Sequence, residues 1–205
     1  MAATDAGQAV IAGHFGFAAG VKASQRQVPL WSLMLATAWL DVVFVPLYAS
    51  GVETIESAPD AAPGYGAAII HADYTHSLLG AIVLSAIFGA VFAWFWGQRT
   101  GIVLGLVSFS HWVLDLIVHR PDLPLLPPAI ADSPRLGFGL WRLPTASMVI
   151  ELAIVLFGSF LYWRAARETS AAAGVIHSTR ADIAGAVVVV SGVVVLFFDY
   201  TGLLG

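Results

Sequence analysis

Apolar residues run in long stretches separated by short polar breaks. Five stretches, residues 28–50, 77–97, 101–119, 143–163 and 183–204, approach or exceed the roughly 20 residues needed to cross a hydrocarbon core about 30 Å thick at about 1.5 Å per residue. A sixth, residues 8–21, is shorter, carries His14 and is punctuated by Gly13, Gly16 and Gly20. Small residues at that spacing predict a helix packed closely on a neighbour, and whether it spans fully or re-enters stays open. Pro29 and Pro144 sit where first-turn prolines belong. With no internal repeat, the pattern predicts an all-α fold: one transmembrane domain over residues 1–205, an integral membrane bundle of about five or six transmembrane helices.

Composition points the same way. Hydrophobic residues make up 59% of the chain and charged residues 11%, with a mean hydropathy of +0.84, too apolar for a domain that must clothe itself in water. The net charge of −4 and the dispersed Lys and Arg give no basic patch, so nucleic acid is not an expected partner. Cysteine is absent, which excludes disulfides and thiolate metal ligands. The start, Met-Ala-Ala-Thr-Asp, lacks the basic stretch and cleavage site of a signal peptide, so the first apolar segment is expected to stay in the protein.

Positive charge suggests an orientation. Lys22, Arg26, Arg99, Arg164, Arg167 and Arg180 flank one set of breaks, expected to be cytoplasmic. The other set holds Glu53, Glu56 and Asp60 in one loop and Arg120, Arg135 and Arg142 in another, a bias of six against three. The second loop's basic residues are also suited to an anionic substrate or lipid headgroup.

On this topology the ionisable residues gather at one depth, toward the extracytoplasmic face. His71, Asp73 and His76 open one span, while His111, Asp115 and His119 run down the outer half of the next. Asp41 lies two thirds of the way out along its span, Glu151 about two turns in from the end of another, and His14 in the short segment. A charged group at the bilayer centre costs about 2.5 to 3.5 kcal/mol on insertion scales, so such grouping implies mutual neutralisation. Steps of four in His111-x3-Asp115-x3-His119 keep all three side chains on one helical face. Imidazole with carboxylate suits a divalent metal, zinc foremost, with manganese or iron also compatible, and the candidate ligands are His14, Asp41, His71, His76, His111, Asp115 and His119. Glu151 or Asp115 is the candidate proton acceptor. Asp73, Thr75 and Ser77 also fit helix-start caps, and Asp199 and His177 read as interfacial and loop residues.

His14, Asp41, the run His71-Ala-Asp-Tyr-Thr-His76-Ser77 and the run Ser110-His111-Trp-Val-Leu-Asp115 resemble the LexA-regulated, YdjM-like family of bacterial inner-membrane proteins described as metal-dependent hydrolases. The resemblance covers roughly residues 10–125, and its most specific parts are His-x4-His-Ser and Ser-His-x3-Asp on consecutive spans. Where that family commonly carries an acidic pair, Asp41 is followed by Val42 and Val43, which counts against a second metal. The resemblance implies a multi-pass protein of the bacterial inner membrane, with the metal chemistry of a hydrolase. A site at headgroup depth suits a lipid-like ester or phosphoester, with membrane lipid as the surrounding partner. Two other readings stay open: a metal- or proton-coupled transporter or permease, and a bis-histidine haem protein using His76 and His111.

Overall fold

The computed structural model describes residues 11–58, 64–175 and 178–203. Asp60 and His177 lie outside them. The described residues form an all-α bundle of seven helices with two very short hairpins at one end. The helices are α1 (Ala12–Ser24), α2 (Leu30–Thr37), α3 (Trp39–Ala49), α4 (Leu78–Trp96), α5 (Gln98–Val118), α6 (Pro144–Ala172) and α7 (Thr179–Thr201). Helices α4 to α7 are each long and apolar enough to cross a membrane, and α2 with α3 makes a fifth candidate if the bent pair is one span. Large apolar side chains point outward along these helices, among them Ile87, Leu106, Phe157 and Val190, as a lipid-facing surface requires.

Glycine sets the helix spacing. The α4–α5 turn is the single residue Gly97 at φ 87°, a left-handed conformation that favours glycine. Helix α1 runs parallel to α6 along Gly13, Gly16 and Gly20, which meet Glu151, Val155 and Gly158 in turn. A Cβ on Gly16 would fall 2.7 Å from the Val155 Cα, so the two backbones touch only because that position has no side chain. The described part of the short segment is therefore a glycine-packed helix, as its pattern predicts. Its described helical part of 13 residues reaches only about 20 Å.

The predicted span 28–50 is not straight. Helices α2 and α3 meet at Ala38 with a bend of 49° and no proline or glycine at the break. Tertiary contacts hold it: the Thr37 carbonyl accepts a hydrogen bond from the His111 ring at 2.6 Å, and the Thr37 hydroxyl donates to the His14 carbonyl at 3.3 Å.

The hairpins cap the end where α3 and α5 finish and α4 and α6 begin. β1 (Thr54–Ser57) pairs antiparallel with β2 (Ala68–His71), and β3 (Leu123–Pro124) with β4 (Arg135–Leu136). Arg135 joins them through a 2.7 Å ion pair with Asp73, whose carboxylate raises the arginine pKa further, and Arg120 donates to the Gly66 carbonyl. Two of the three basic residues in the hairpin-end loop thus hold the cap together, leaving Arg142 exposed. A buried apolar cluster of Ala18, Val28, Leu33, Ala36, Phe88, Leu104 and Val107 fills the bundle on the other side of the polar residues described next.

Candidate metal centre

Five side chains from four parts of the chain converge just below the cap. His14 comes from α1, Asp41 from the first turn of α3, His76 from the residue before the α4 cap, and His111 and Asp115 from one face of α5. The Ser77 side chain caps α4 by accepting from the Gly80 amide at 3.0 Å, which fixes where His76 leaves the helix start. The i, i+4 spacing of His111 and Asp115 gives an Nε2–Oδ2 distance of 3.1 Å.

The donor atoms form two overlapping groups, His14–His111–Asp115 and Asp41–His76–His111, each drawn within 4.8 Å. His76 Nε2 lies 3.2 Å from His111 Nε2, His14 Nε2 is 3.2 Å from Asp115 Oδ1, and His76 Nε2 is 3.6 Å from Asp115 Oδ2. Asp41 Oδ1 stands 3.5 Å from His76 and 3.6 Å from His111. Ligands about 2.0 to 2.1 Å from a tetrahedral ion lie about 3.3 Å from each other, which is the spacing seen here. His14, His76, His111 and Asp115 are all buried, while the Asp41 side chain is 21% accessible and marks the open side.

The outer nitrogens decide which atoms are free to bind. His111 Nδ1 faces the Thr37 carbonyl, which can only accept, so Nδ1 carries the proton, and Nε2, 3.1 Å from the Asp115 carboxylate, is the nitrogen left for a proton or a metal. His76 Nδ1 contacts the Thr75 hydroxyl at 2.8 Å, and that hydroxyl in turn donates to the Glu53 carboxylate at 3.0 Å. With the hydroxyl proton directed at Glu53, His76 Nδ1–H is the donor and its Nε2 faces the Asp41 and Asp115 carboxylates. The two Nε2 atoms meet at 3.2 Å beside the Asp41 and Asp115 carboxylates, an arrangement that a shared proton or a cation between them satisfies. The two ligand groups share His111, whose one remaining nitrogen can serve a single ion.

Two candidate ligands stand apart. His71 lies on β2, half-buried, with its nearest carboxylate Glu56 at 3.8 Å. His119 follows α5 and turns to Asp122 at 3.0 Å and to the Trp141 ring at 4.2 Å. Burial there disfavours the imidazolium, but the Asp122 hydrogen bond together with the Asp115 and Asp122 charges outweighs it, and the pKa lies above the usual value. Glu151 sits outside the cluster with both oxygens buried and without a protein hydrogen-bond partner, and the Gly13 backbone, the Tyr65 hydroxyl and Asp199 are its polar neighbours.

Sequence reasoning missed three contributors. Glu53 reads as one of three loop acids, yet it is almost wholly buried and accepts from the Tyr74 and Thr75 amides, each at 2.8 Å. Thr37 acts through its carbonyl, which no side-chain pattern signals. Thr75 fits a cap by position but links His76 to Glu53. Asp199, read as interfacial, is buried against the start of α1, beside the Ile11 and Ala12 amides.

Fold and site together define a helical membrane bundle with a buried histidine–aspartate centre at one end. No family model, no curated protein and no solved structure matches the chain.

Proposed function

We propose that the protein is a metal-dependent hydrolase of the YdjM-like kind, holding one divalent ion, zinc by preference, and acting on an amphiphilic ester or phosphoester from the extracytoplasmic side. The observation that carries the metal is the convergence of imidazole Nε2 atoms, 3.2 Å apart, with the Asp115 carboxylate, each of the two rings held by a contact on its far side. His14, His76, His111 and Asp115 would hold the ion. Bound there, a divalent ion supplies Lewis acidity and lowers the pKa of a coordinated water.

The remaining chemistry falls to the chain. Asp41 is the partly accessible carboxylate beside the centre, so it is the group positioned to take a proton on the open side. Glu151, the alternative acceptor, is outside the reach of the cluster's contacts. The centre lies within about two turns of the α4 start and the α5 end, at headgroup depth for spans of this length, and Arg142 is exposed at the same end. That position suits a lipid-like substrate.

Hydrolysis is favoured over transport because the apolar cluster around Leu33, Phe88 and Leu104 closes the bundle between the centre and its opposite end. A bis-histidine haem is disfavoured because the two ring nitrogens are too close for a macrocycle to lie between them.

Elemental analysis of protein purified without chelator should find a divalent metal near one per chain, with most of it lost in His111→Ala and Asp115→Ala. In detergent, the wild type should cleave members of a lipid ester and phosphoester panel, and Asp41→Asn should lower turnover by about 10²- to 10⁴-fold while keeping most of the metal. Wild-type metal content in both ligand variants would end the metal reading. Metal-loaded protein that moves ions across proteoliposomes and cleaves nothing in the panel would replace hydrolase with transporter.

A further inference from the structure

The three histidines of the centre are not held alike. His111 and His76 each have a protein group on Nδ1, whereas His14 Nδ1 is buried with no protein partner at all. His14 also lines a cavity of about 50 Å³ shared with Gly13, Leu140, Ile150 and Glu151. On the same side, both Glu151 oxygens are buried and unpartnered. Glu151 is 4% exposed, so bulk water does not satisfy it. Buried polar atoms are nearly always hydrogen-bonded, and a cavity needs only about 10 to 15 Å³ to admit a water. An apolar pocket of that size would stay dry, but this one has an orphaned imidazole nitrogen and an orphaned carboxylate in its wall.

We propose that Glu151 is a positioning residue that, through water in this cavity, accepts the hydrogen bond His14 Nδ1–H donates and so turns His14 Nε2 toward the centre. The assignment rests on the metal reading above for its purpose, though not for its geometry. It gives His14 the counterpart of what Thr37 gives His111 and what Thr75 with Glu53 gives His76. It also explains why Gly13 has no side chain: a Cβ there would press on Glu151 Cγ at 3.3 Å and crowd the cavity. Asp199 and Tyr65 are the other polar neighbours of Glu151, outside the cavity lining. Glu151 thereby keeps a role in the centre, but as support for a ligand rather than as the proton acceptor its sequence position suggests.

The test compares Glu151→Gln, which can still accept from water, with Glu151→Leu, which cannot. The ring nitrogens are followed by ¹⁵N NMR of histidine-labelled protein, first after chelator treatment and then with zinc added. In the chelated protein, Glu151→Leu should move the His14 Nδ1 resonance and leave those of His76 and His111 in place, which also reports an intact fold. With zinc, the wild type and Glu151→Gln should show His14 protonated on Nδ1, and Glu151→Leu should bind zinc about 10- to 100-fold more weakly, the usual effect of losing a ligand's hydrogen-bond partner. His14 resonances and zinc affinity unchanged in Glu151→Leu would overturn the proposal. So would Glu151→Gln weakening zinc as much as Glu151→Leu, since the carboxylate charge would then matter rather than the bridge. A wild type that binds no zinc, yet shows the His14 shift in chelated Glu151→Leu, would sink the metal reading alone.

Discussion

At the level of single residues, the centre depends as much on what holds each imidazole as on the imidazoles themselves. Thr75 illustrates this. Its position before an apolar run fits a helix cap, yet its hydroxyl spans His76 and the buried Glu53 carboxylate. Removing it leaves His76 free to change tautomer and leaves Glu53 short of one bond. Chelator competition should therefore find zinc binding weakened by about 10- to 100-fold in Thr75→Ala and largely restored in Thr75→Ser. Affinity at the wild-type level in Thr75→Ala would reduce the threonine to a helix-start residue. The ligands His76, His111 and Asp115 were legible because their spacing puts them on one face or at one helix start. Glu53 was not, because nothing in a loop acid's surroundings in sequence says that the chain will fold over it.

At the level of elements, the centre is assembled by close backbone approach. Helix α1 brings His14 to α5 only because its glycines let it lie directly on α6. The rings of His14 and His111 then stack at 4.1 Å. Gly16→Ala places a Cβ against Val155 backbone, which cannot give way as a side-chain tip could, and overpacking of this kind costs about 1 to 3 kcal/mol. The expected result is a lower melting temperature in detergent together with reduced metal content, since α1 carries a ligand. Gly51→Ala makes a useful contrast, because that glycine has open space around it, though its φ of 76° adds local backbone strain. Full metal occupancy in Gly16→Ala would show that His14 is dispensable to the centre. The bend at Ala38 is another element-scale device: a straight helix would keep the Thr37 carbonyl inside its own ladder, whereas the break frees it for His111.

For the whole molecule, the two ends differ in chemistry. Lys22, Arg26, Arg99, Arg164, Arg167 and Arg180 crowd the end opposite the hairpins, where Arg26 and Arg164 both pair with Glu168, and the exposed Trp31, Trp94 and Trp96 sit nearby as an aromatic girdle. Single cysteines at Ser57 and Ala172 lie at opposite ends of the bundle and should label from opposite faces, with Ser57 outside. Labelling from one face would refute the bundle's placement across the bilayer, and the reverse pattern would put the centre on the cytoplasmic side. The sequence by itself determined the helical membrane class, the number of long apolar segments within one, and the gathering of ionisable residues toward one end of the bundle, because hydrophobic length and helical spacing are local properties. Only the tertiary structure decided that five of the seven candidate ligands meet while His71 and His119 turn away, that α2 and α3 bend, and that Glu53, Thr37 and Asp199 take buried places. Those outcomes depend on which backbone groups and side chains distant segments bring into contact, and no local pattern encodes that.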